Sequence, residues 1–329
     1  MRLLRASRRR LDFALIISAA GAVGALIYAD PLCAQTPSPA WPFASRIPGN
    51  LATPVASPAL STPPPYDVPL RQEQWEQLAD HTISPAGEKA LALRPQQWRH
   101  GETENFIIHY RSLSDALQIA REIEFDLWYV AQTLGAAPEQ YSRKSHVYVF
   151  QDEREWQRFL AETQTPLWVH SFAVGDELFL DVRVQGGFDS HTLAHETTHA
   201  IIARFYGNRR WPLWLNEGFA EYMGDASVAA RHWRSPLSNQ RKLKFAEMTV
   251  AELTATTQYP AEPLEVARLY ATGAKFVRYL FNKYPREFFP KFVDRVLGGE
   301  APAAALIEIY GNEFSDMAEF ERRFSRFIR

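Results

Sequence analysis

His195-Glu196-Thr197-Thr198-His199, followed by Glu217 in Trp214-Leu215-Asn216-Glu217-Gly218-Phe219-Ala220-Glu221-Tyr222, is the stretch on which the reading of this 329-residue chain turns. Residues four apart on an α-helix share one face. His195 and His199 can therefore aim two imidazoles at a single Zn²⁺ at about 2.0–2.1 Å. Glu196 is offset by about 100°. It flanks such an ion instead of ligating it, and it can take a proton from bound water. The neighbouring Leu193, Ala194, Ala200, Ile201 and Ile202 fit a buried helix. Seventeen residues separate His199 from Glu217, which is room for a loop and a second helix returning antiparallel to the first. Two histidines and one glutamate leave a fourth position for water, the feature that separates a catalytic zinc site from a closed structural one. An accidental pentamer on a surface helix would have no reason to bring a third ligand with it. The expected metal ligands are thus His195, His199 and Glu217, with Zn²⁺ as cofactor and Glu196 as general base. Glu221 shares the helical face of Glu217. It either hydrogen-bonds a liganding histidine or faces solvent.

Around this stretch the pattern predicts strands first and helices last. Phe106-Ile107-Ile108 with Tyr110 reads as a strand. Leu117, Ala120, Ile123, Leu127 and Val130 recur at helical spacing across 113–134, a helix that Gly135 stops. Strands are expected at 146–150, 171–174 and 178–182, the last two joined by a hairpin turn at Gly175-Asp176. A helix is expected at 153–161. The metal-bearing helices follow at 192–206 and 214–223. Beyond residue 226 only helical stretches are expected, near 241–254, 264–284, 286–297 and 301–327, the last broken at Gly311. Residues 71–98 read as one or two short helices. This order predicts an α+β fold with two lobes: a small mixed sheet with the His195–His199 helix, then a helical C-terminal lobe.

The first residues carry Arg2, Arg5 and Arg8 to Arg10, then Phe13 to Ala29 without a charge, then Leu32-Cys33-Ala34. That is the anatomy of an export signal, cut after Ala34 or retained as a membrane tether through residues 13–29. Residues 35–70 hold ten prolines among Ser, Ala and Thr, the composition of an extended linker. The expected layout is a signal or anchor at 1–34, a linker at 35–70, a helical lead-in at 71–98, a catalytic lobe at 99–226 and a helical lobe at 227–329. The single cysteine, Cys33, excludes a cysteine-based metal site and an internal disulfide. Without residues 1–34 the chain holds 31 basic against 36 acidic residues, so nothing points to nucleic acid. Sequence alone leaves the oligomeric state open.

The zinc pentamer with Asn216-Glu217-Gly218-Phe219-Ala220 resembles the gluzincin superfamily, in particular peptidase MA-like proteins related to gluzincin aminopeptidases. Tyr270-Ala271-Thr272-Gly273 is similar to that family's Tyr-x-x-Gly helix. The resemblance runs over roughly residues 99–329. It implies a thermolysin-like zincin fold, hydrolysis of peptide or protein substrates, and stabilisation of the tetrahedral oxyanion by Tyr270. Two departures accompany it. The aminopeptidase Gly-Ala-Met-Glu-Asn element, whose Glu binds the substrate's amine, has no counterpart in Phe172-Ala173-Val174-Gly175-Asp176-Glu177. The family's acid seven residues beyond the ligand glutamate is replaced by Gly224. Asp176 and Glu177 are expected at the hairpin turn, facing solvent. The expected activity is therefore endopeptidase-like cleavage outside the cytoplasm, in the periplasm or secreted. The competing expectation is a peptidase fold that binds zinc or peptide in the cell envelope without turnover. His191 reads as a helix-start residue one turn before His195, and His170 as either structural or lining the cleft.

Overall fold

The computed structural model describes residues 63–136, 143–182, 189–207, 209–232 and 247–328. The expected export segment, residues 35–62 of the linker and residues 241–246 of one expected helix lie outside them. Six strands form the sheet: β1 (Arg71–Glu73), β2 (Arg99–Glu102), β3 (Phe106–Tyr110), β4 (Ser145–Phe150), β5 (Ser171–Val174) and β6 (Glu177–Asp181). Ten α-helices accompany them among the described residues. They are α1 (Pro85–Ala92), α2 (Leu113–Leu134), α3 (Glu153–Glu162), α4 (Ser190–Tyr206), α5 (Leu213–Arg231), α6 (Val250–Ala255), α7 (Pro263–Lys283), α8 (Phe288–Leu297), α9 (Pro302–Tyr310) and α10 (Met317–Ile328). The fold is mixed α+β.

The sheet order is β1-β2-β3-β4-β6-β5. β3, β4 and β6 run parallel; β1–β2–β3 and β5–β6 pair antiparallel. Parallel neighbours need a crossover, and α2 supplies it between β3 and β4. α2 begins where Ser112 accepts from the amide of Asp115 and ends at Gly135 in the left-handed region, φ 63°, a conformation glycine adopts without steric penalty. Gly175, φ 58°, makes the two-residue turn between β5 and β6.

Side chains alternate across the sheet, and both faces are covered. Phe106, Ile108, Tyr110, Val147, Val149, Ala173, Leu178 and Leu180 point to the inner face, where they share one core with α2, α4, α5 and the C-terminal helices. Tyr148, Phe150, Phe172 and Phe179 point outward to a second core with Trp156, Phe159, Leu93 and Trp98. The inner core is continuous from the sheet to Phe320 and Phe324 of α10. The division expected at 226/227 falls inside α5, which runs on to Arg231. That extension is held by Arg231, whose guanidinium meets Asp126 at 2.8 Å and Glu122 at 2.5 Å on α2. No helix among the described residues is long and apolar enough to cross a membrane.

The lead-in differs from expectation. It holds one α-helix, but it also adds β1 to the sheet and runs straight into β2. Neither strand alternates apolar with polar. β1 is three residues long, and β2 reads Arg-His-Gly-Glu. Pairing with β3 recruits them, and buried Glu102 is neutralised by Arg71 at 2.8 Å and Lys144 at 2.9 Å. The outer face also carries a chain of three imidazoles. His100 Nδ1 lies 2.8 Å from His109 Nδ1, and His109 Nε2 lies 2.9 Å from His146 Nδ1. Trp75 of the lead-in packs on His81, His100 and His109. Each N–H···N link needs one donor and one acceptor, and neutral rings provide both.

Burial pushes His146 down to about 4, with nearby Asp80 offsetting only part of the effect. Burial and the two flanking imidazoles push His109 well below its ordinary value. Unfolded imidazoles titrate near 6.5, so between about pH 6.5 and 4 the unfolded chain binds more protons and stability falls as pH falls. For His146 alone this amounts to about 3 kcal/mol. Urea unfolding at pH 7 and pH 4.5 should show that loss in the wild type and a flatter dependence in a His109→Gln/His146→Gln double variant. Parallel curves would place the titrating groups elsewhere.

Candidate metal centre

α4 starts at an N-cap, Asp189, whose carboxylate accepts from the amides of His191 and Thr192. This cap starts the helix two residues ahead of the expected Thr192. α4 lies along β5 on one side and packs against α5 on the other, antiparallel, since His199, His195 and His191 meet Glu217, Glu221 and Asp225 in turn. Nearly every residue from Leu193 to Ile202 is buried. Thr198 stays within a buried helix because its hydroxyl donates to the carbonyl of Ala194 at 2.7 Å.

At the α4–α5 interface three donors converge. His195 Nε2 and His199 Nε2 are 3.0 Å apart. Glu217 Oε2 stands 3.6 Å from the first and 3.5 Å from the second. A triangle with these sides has a point about 2.0 Å from all three corners, the distance zinc keeps from imidazole nitrogen and carboxylate oxygen. His195, His199 and Glu217 are the one group among the described residues whose ligand atoms cluster in this way. Several of the buried polar atoms that lack partners lie at this interface. Both oxygens of Glu196, Glu217 Oε2 and the Tyr270 hydroxyl are buried with no hydrogen-bond partner among the described residues. Each such atom calls for an explanation, and a bound ion or water is one.

Electrostatics reinforce the geometry. Burial works against the charge on Glu217, yet the imidazoles of His199 and His195 hold its carboxyl below the usual carboxylate range. Burial also opposes charge on His195, but Glu217, Glu221 and Glu196 carry it up to about 10. Burial raises Glu196 to about 7, even with both imidazoles pulling the other way. The amide of Ala173 on β5 acts on Glu196 in the same direction as the imidazoles, though it falls short of hydrogen-bond geometry. Three carboxylates therefore surround two imidazoles, a charge balance that favours a divalent cation.

β5 forms the rim of this site. Asp181 N donates to His170 O at 2.9 Å, and that bond sets the alternation along the hairpin. Phe172 and Val174 bond to β6, whereas Ser171 and Ala173 turn their amide and carbonyl groups away from it.

The other expected residues fall as follows. Tyr270 lies on α7 with its ring stacked on His195, centroids 5.7 Å apart and planes within 6°. Glu221 Oε2 stands 3.3 Å from His195 Nδ1, and its other oxygen is 3.6 Å from His191 Nε2. His191 also faces Asp225 at 3.5 Å. A Cβ on Gly224 would come within 2.9 Å of His191 Nε2, so the position that carries an acid in the resembled family is here occupied by a neighbouring histidine. His170 faces Asp181 at 3.5 Å.

Glu177 corrects the expectation of a solvent-facing turn residue. It is 2% exposed, on the outer sheet face with Phe179, where its carboxylate accepts from both the amide and the hydroxyl of Ser84. The sheet separates it from α4. Asp176 is 3.4 Å from Arg143. One residue was not legible in the sequence: the hydroxyl of Tyr259, between α6 and α7, donates to Glu217 Oε1 at 2.6 Å. It lies in a connection without periodicity, 42 residues from its partner, so no spacing rule could have found it.

Neither a protein-family model nor a curated protein matches the sequence.

Tyr270 reaches the site because α5 and α7 nearly touch. A Cβ on Gly273 would lie 2.7 Å from the Cα of Gly218, and one on Gly218 would lie 2.6 Å from the carbonyl carbon of Gly273. Within a helix, Gly→Ala ordinarily stabilises by about 1 kcal/mol. Here the new methyl meets backbone, and overpacking costs about 1–3 kcal/mol. Gly273→Ala should therefore lower the stability measured by chemical unfolding. A gain in stability would show that the two helices separate freely.

Proposed function

We propose that the chain is a zinc-dependent peptidase of the gluzincin type, with a two-lobed, thermolysin-like arrangement, that cleaves internal bonds of extended peptide or protein segments outside the cytoplasm. The observation that carries this reading is the triangle of His195, His199 and Glu217 with the partnerless carboxylate of Glu196 beside it. Exported location rests on the arginine-rich, apolar start of the sequence.

Zinc held by the three donors would polarise a scissile carbonyl and lower the pKa of water towards about 7. Glu196, buried beside the ligands with neither oxygen hydrogen-bonded among the described residues, would accept a proton from that water and deliver it to the leaving amine. The Tyr270 hydroxyl, raised well above the ordinary phenol value chiefly by burial, keeps its proton and donates a hydrogen bond to the carbonyl oxygen as negative charge grows on it. The outward amide and carbonyl groups of Ser171 and Ala173 suit an extended chain added to the sheet edge. The intact Glu196 and Tyr270 favour turnover over binding alone.

Glu196→Gln should retain one zinc per chain and lose peptide cleavage, whereas His199→Ala should lose stoichiometric zinc. Metal analysis of both proteins alongside a peptide-library assay checks this. Stoichiometric zinc in His199→Ala, or wild-type turnover in Glu196→Gln, would overturn the assignment.

Specificity follows from the partners of the acidic residues near the site, among the described residues. An aminopeptidase needs a fixed anion for the substrate's ammonium group, since leaving that charge unpaired in a cleft is costly. Glu177 is spent on Ser84 behind the sheet, Asp176 on Arg143, and Glu221 on His195 and His191. One peptide offered with a free and with an acetylated N-terminus should be cut alike at an internal bond. Release of single residues from the free form alone would point instead to an amine site.

A further inference from the structure

Glu217 is a buried carboxylate with two different oxygens. Oε2 faces both imidazoles, at 3.6 and 3.5 Å. Oε1 accepts the Tyr259 hydroxyl at 2.6 Å. A carboxylate whose two oxygens were both free could turn about its last bond and present either one, or both, to a cation. A strong donor on one oxygen removes that freedom. Hydrogen bonds to a charged acceptor are also shorter and roughly twice as strong as neutral ones, and 2.6 Å is at the short end for an O–H···O contact.

We propose that Tyr259 is a positioning residue for the metal centre, holding Oε1 of Glu217 so that Oε2 alone is presented to a metal between His195 and His199. The inference rests on the metal-centre reading above. Two observations carry it. Tyr259 makes the short, well-aligned bond to Glu217 Oε1, whereas the Tyr270 hydroxyl lies near Glu217 and Tyr259 without reaching hydrogen-bond geometry to either. Tyr259 also arrives from a different element than the ligands. It stands in the 256–262 connection between α6 and α7, whereas the ligands stand on α4 and α5. The third ligand is thus oriented from outside its own helix. Because that connection and the metal both act on Glu217, each favours the other's placement: metal binding should order the 256–262 connection, and loosening the connection should weaken metal binding.

The tests use the full chain and read the metal, not turnover. Tyr259→Phe removes one oxygen and keeps the ring. Zinc affinity, measured by competition with a chromophoric chelator, should fall by about 10–100-fold, the usual loss when a ligand's supporting partner is removed. Tyr270→Phe should leave that affinity within a few-fold of wild type. With Co²⁺ in place of zinc, Tyr259→Phe should weaken the visible absorption bands, because a released Oε1 joins the coordination and the site departs from four ligands. Hydrogen exchange of the 256–262 amides should slow on zinc binding in the wild type and change little in Tyr259→Phe.

The metal-free variant should melt within a few degrees of the metal-free wild type. A much lower melting temperature would make Tyr259 a structural residue and overturn the proposal. Wild-type zinc affinity and an unchanged Co²⁺ spectrum in Tyr259→Phe would overturn it as well, while leaving the metal centre standing. Failure of the wild type itself to bind zinc would sink the metal-centre reading and this proposal together.

Discussion

Charge buried between α4 and α5 is the constraint on which the rest of the structure depends. His195, Glu196, His199 and Glu217 are all nearly or wholly inaccessible to solvent. Taking ions out of water is expensive, and a buried charge persists only where partners and hydrogen bonds compensate it. Much of the surrounding architecture can be understood as that compensation. Glu221 and His191 extend the charge network towards the surface, and Tyr259 satisfies one oxygen of Glu217. Thr198 turns its hydroxyl back on its own helix. The continuous inner core then seals the interface from the sheet on one side and from α7 to α10 on the other. Both oxygens of Glu196, Glu217 Oε2 and the Tyr270 hydroxyl are left there without partners among the described residues, beside three donors with the spacing of a metal site.

The sheet has two jobs, divided between its faces. Its inner face supports α4 through short apolar side chains such as Ala173, Leu178 and Leu180. Its outer face is aromatic and polar, with Tyr148 and Phe179 stacked 4.7 Å apart and the imidazole chain beside them. Ser84 at the start of α1 reaches across to Glu177 and so braces the hairpin from behind. β5 is the last strand of the sheet, and its unpaired edge runs beside α4. A rim fixed in this way can serve as a template for an extended chain without first paying to order itself.

Legibility in the sequence followed periodicity. α2, α4 and α7 carry long, regular apolar spacing, and the sequence placed them within two residues at each end. The metal ligands were legible because helical spacing converts directly into a shared face. α5 runs eight residues past the Met223 at which the sequence pattern ends it. In the structure Gly224 makes room for His191, and Ser227 donates to buried Asp126 on α2. β1 and β2 were missed because their strand character comes from pairing with β3, not from their own residues. Glu177 was misplaced for a related reason: only the pairing register decides which side of the sheet a residue next to a turn will face. Tyr259 could not have been found at all, because its role exists only once a loop is laid over another helix.

The contact between Gly218 and Gly273 also bears on how such a chain can change. A methyl group on either helix would meet backbone of the other, so neither glycine can be exchanged first while the partner waits for a compensating change. The pair is a one-way lock, and it sits one residue after a ligand and three residues after the tyrosine stacked on His195. The interval between these two glycines, 54 residues here, can lengthen or shrink with the intervening loop. The two glycines themselves should outlast most of the sequence around them.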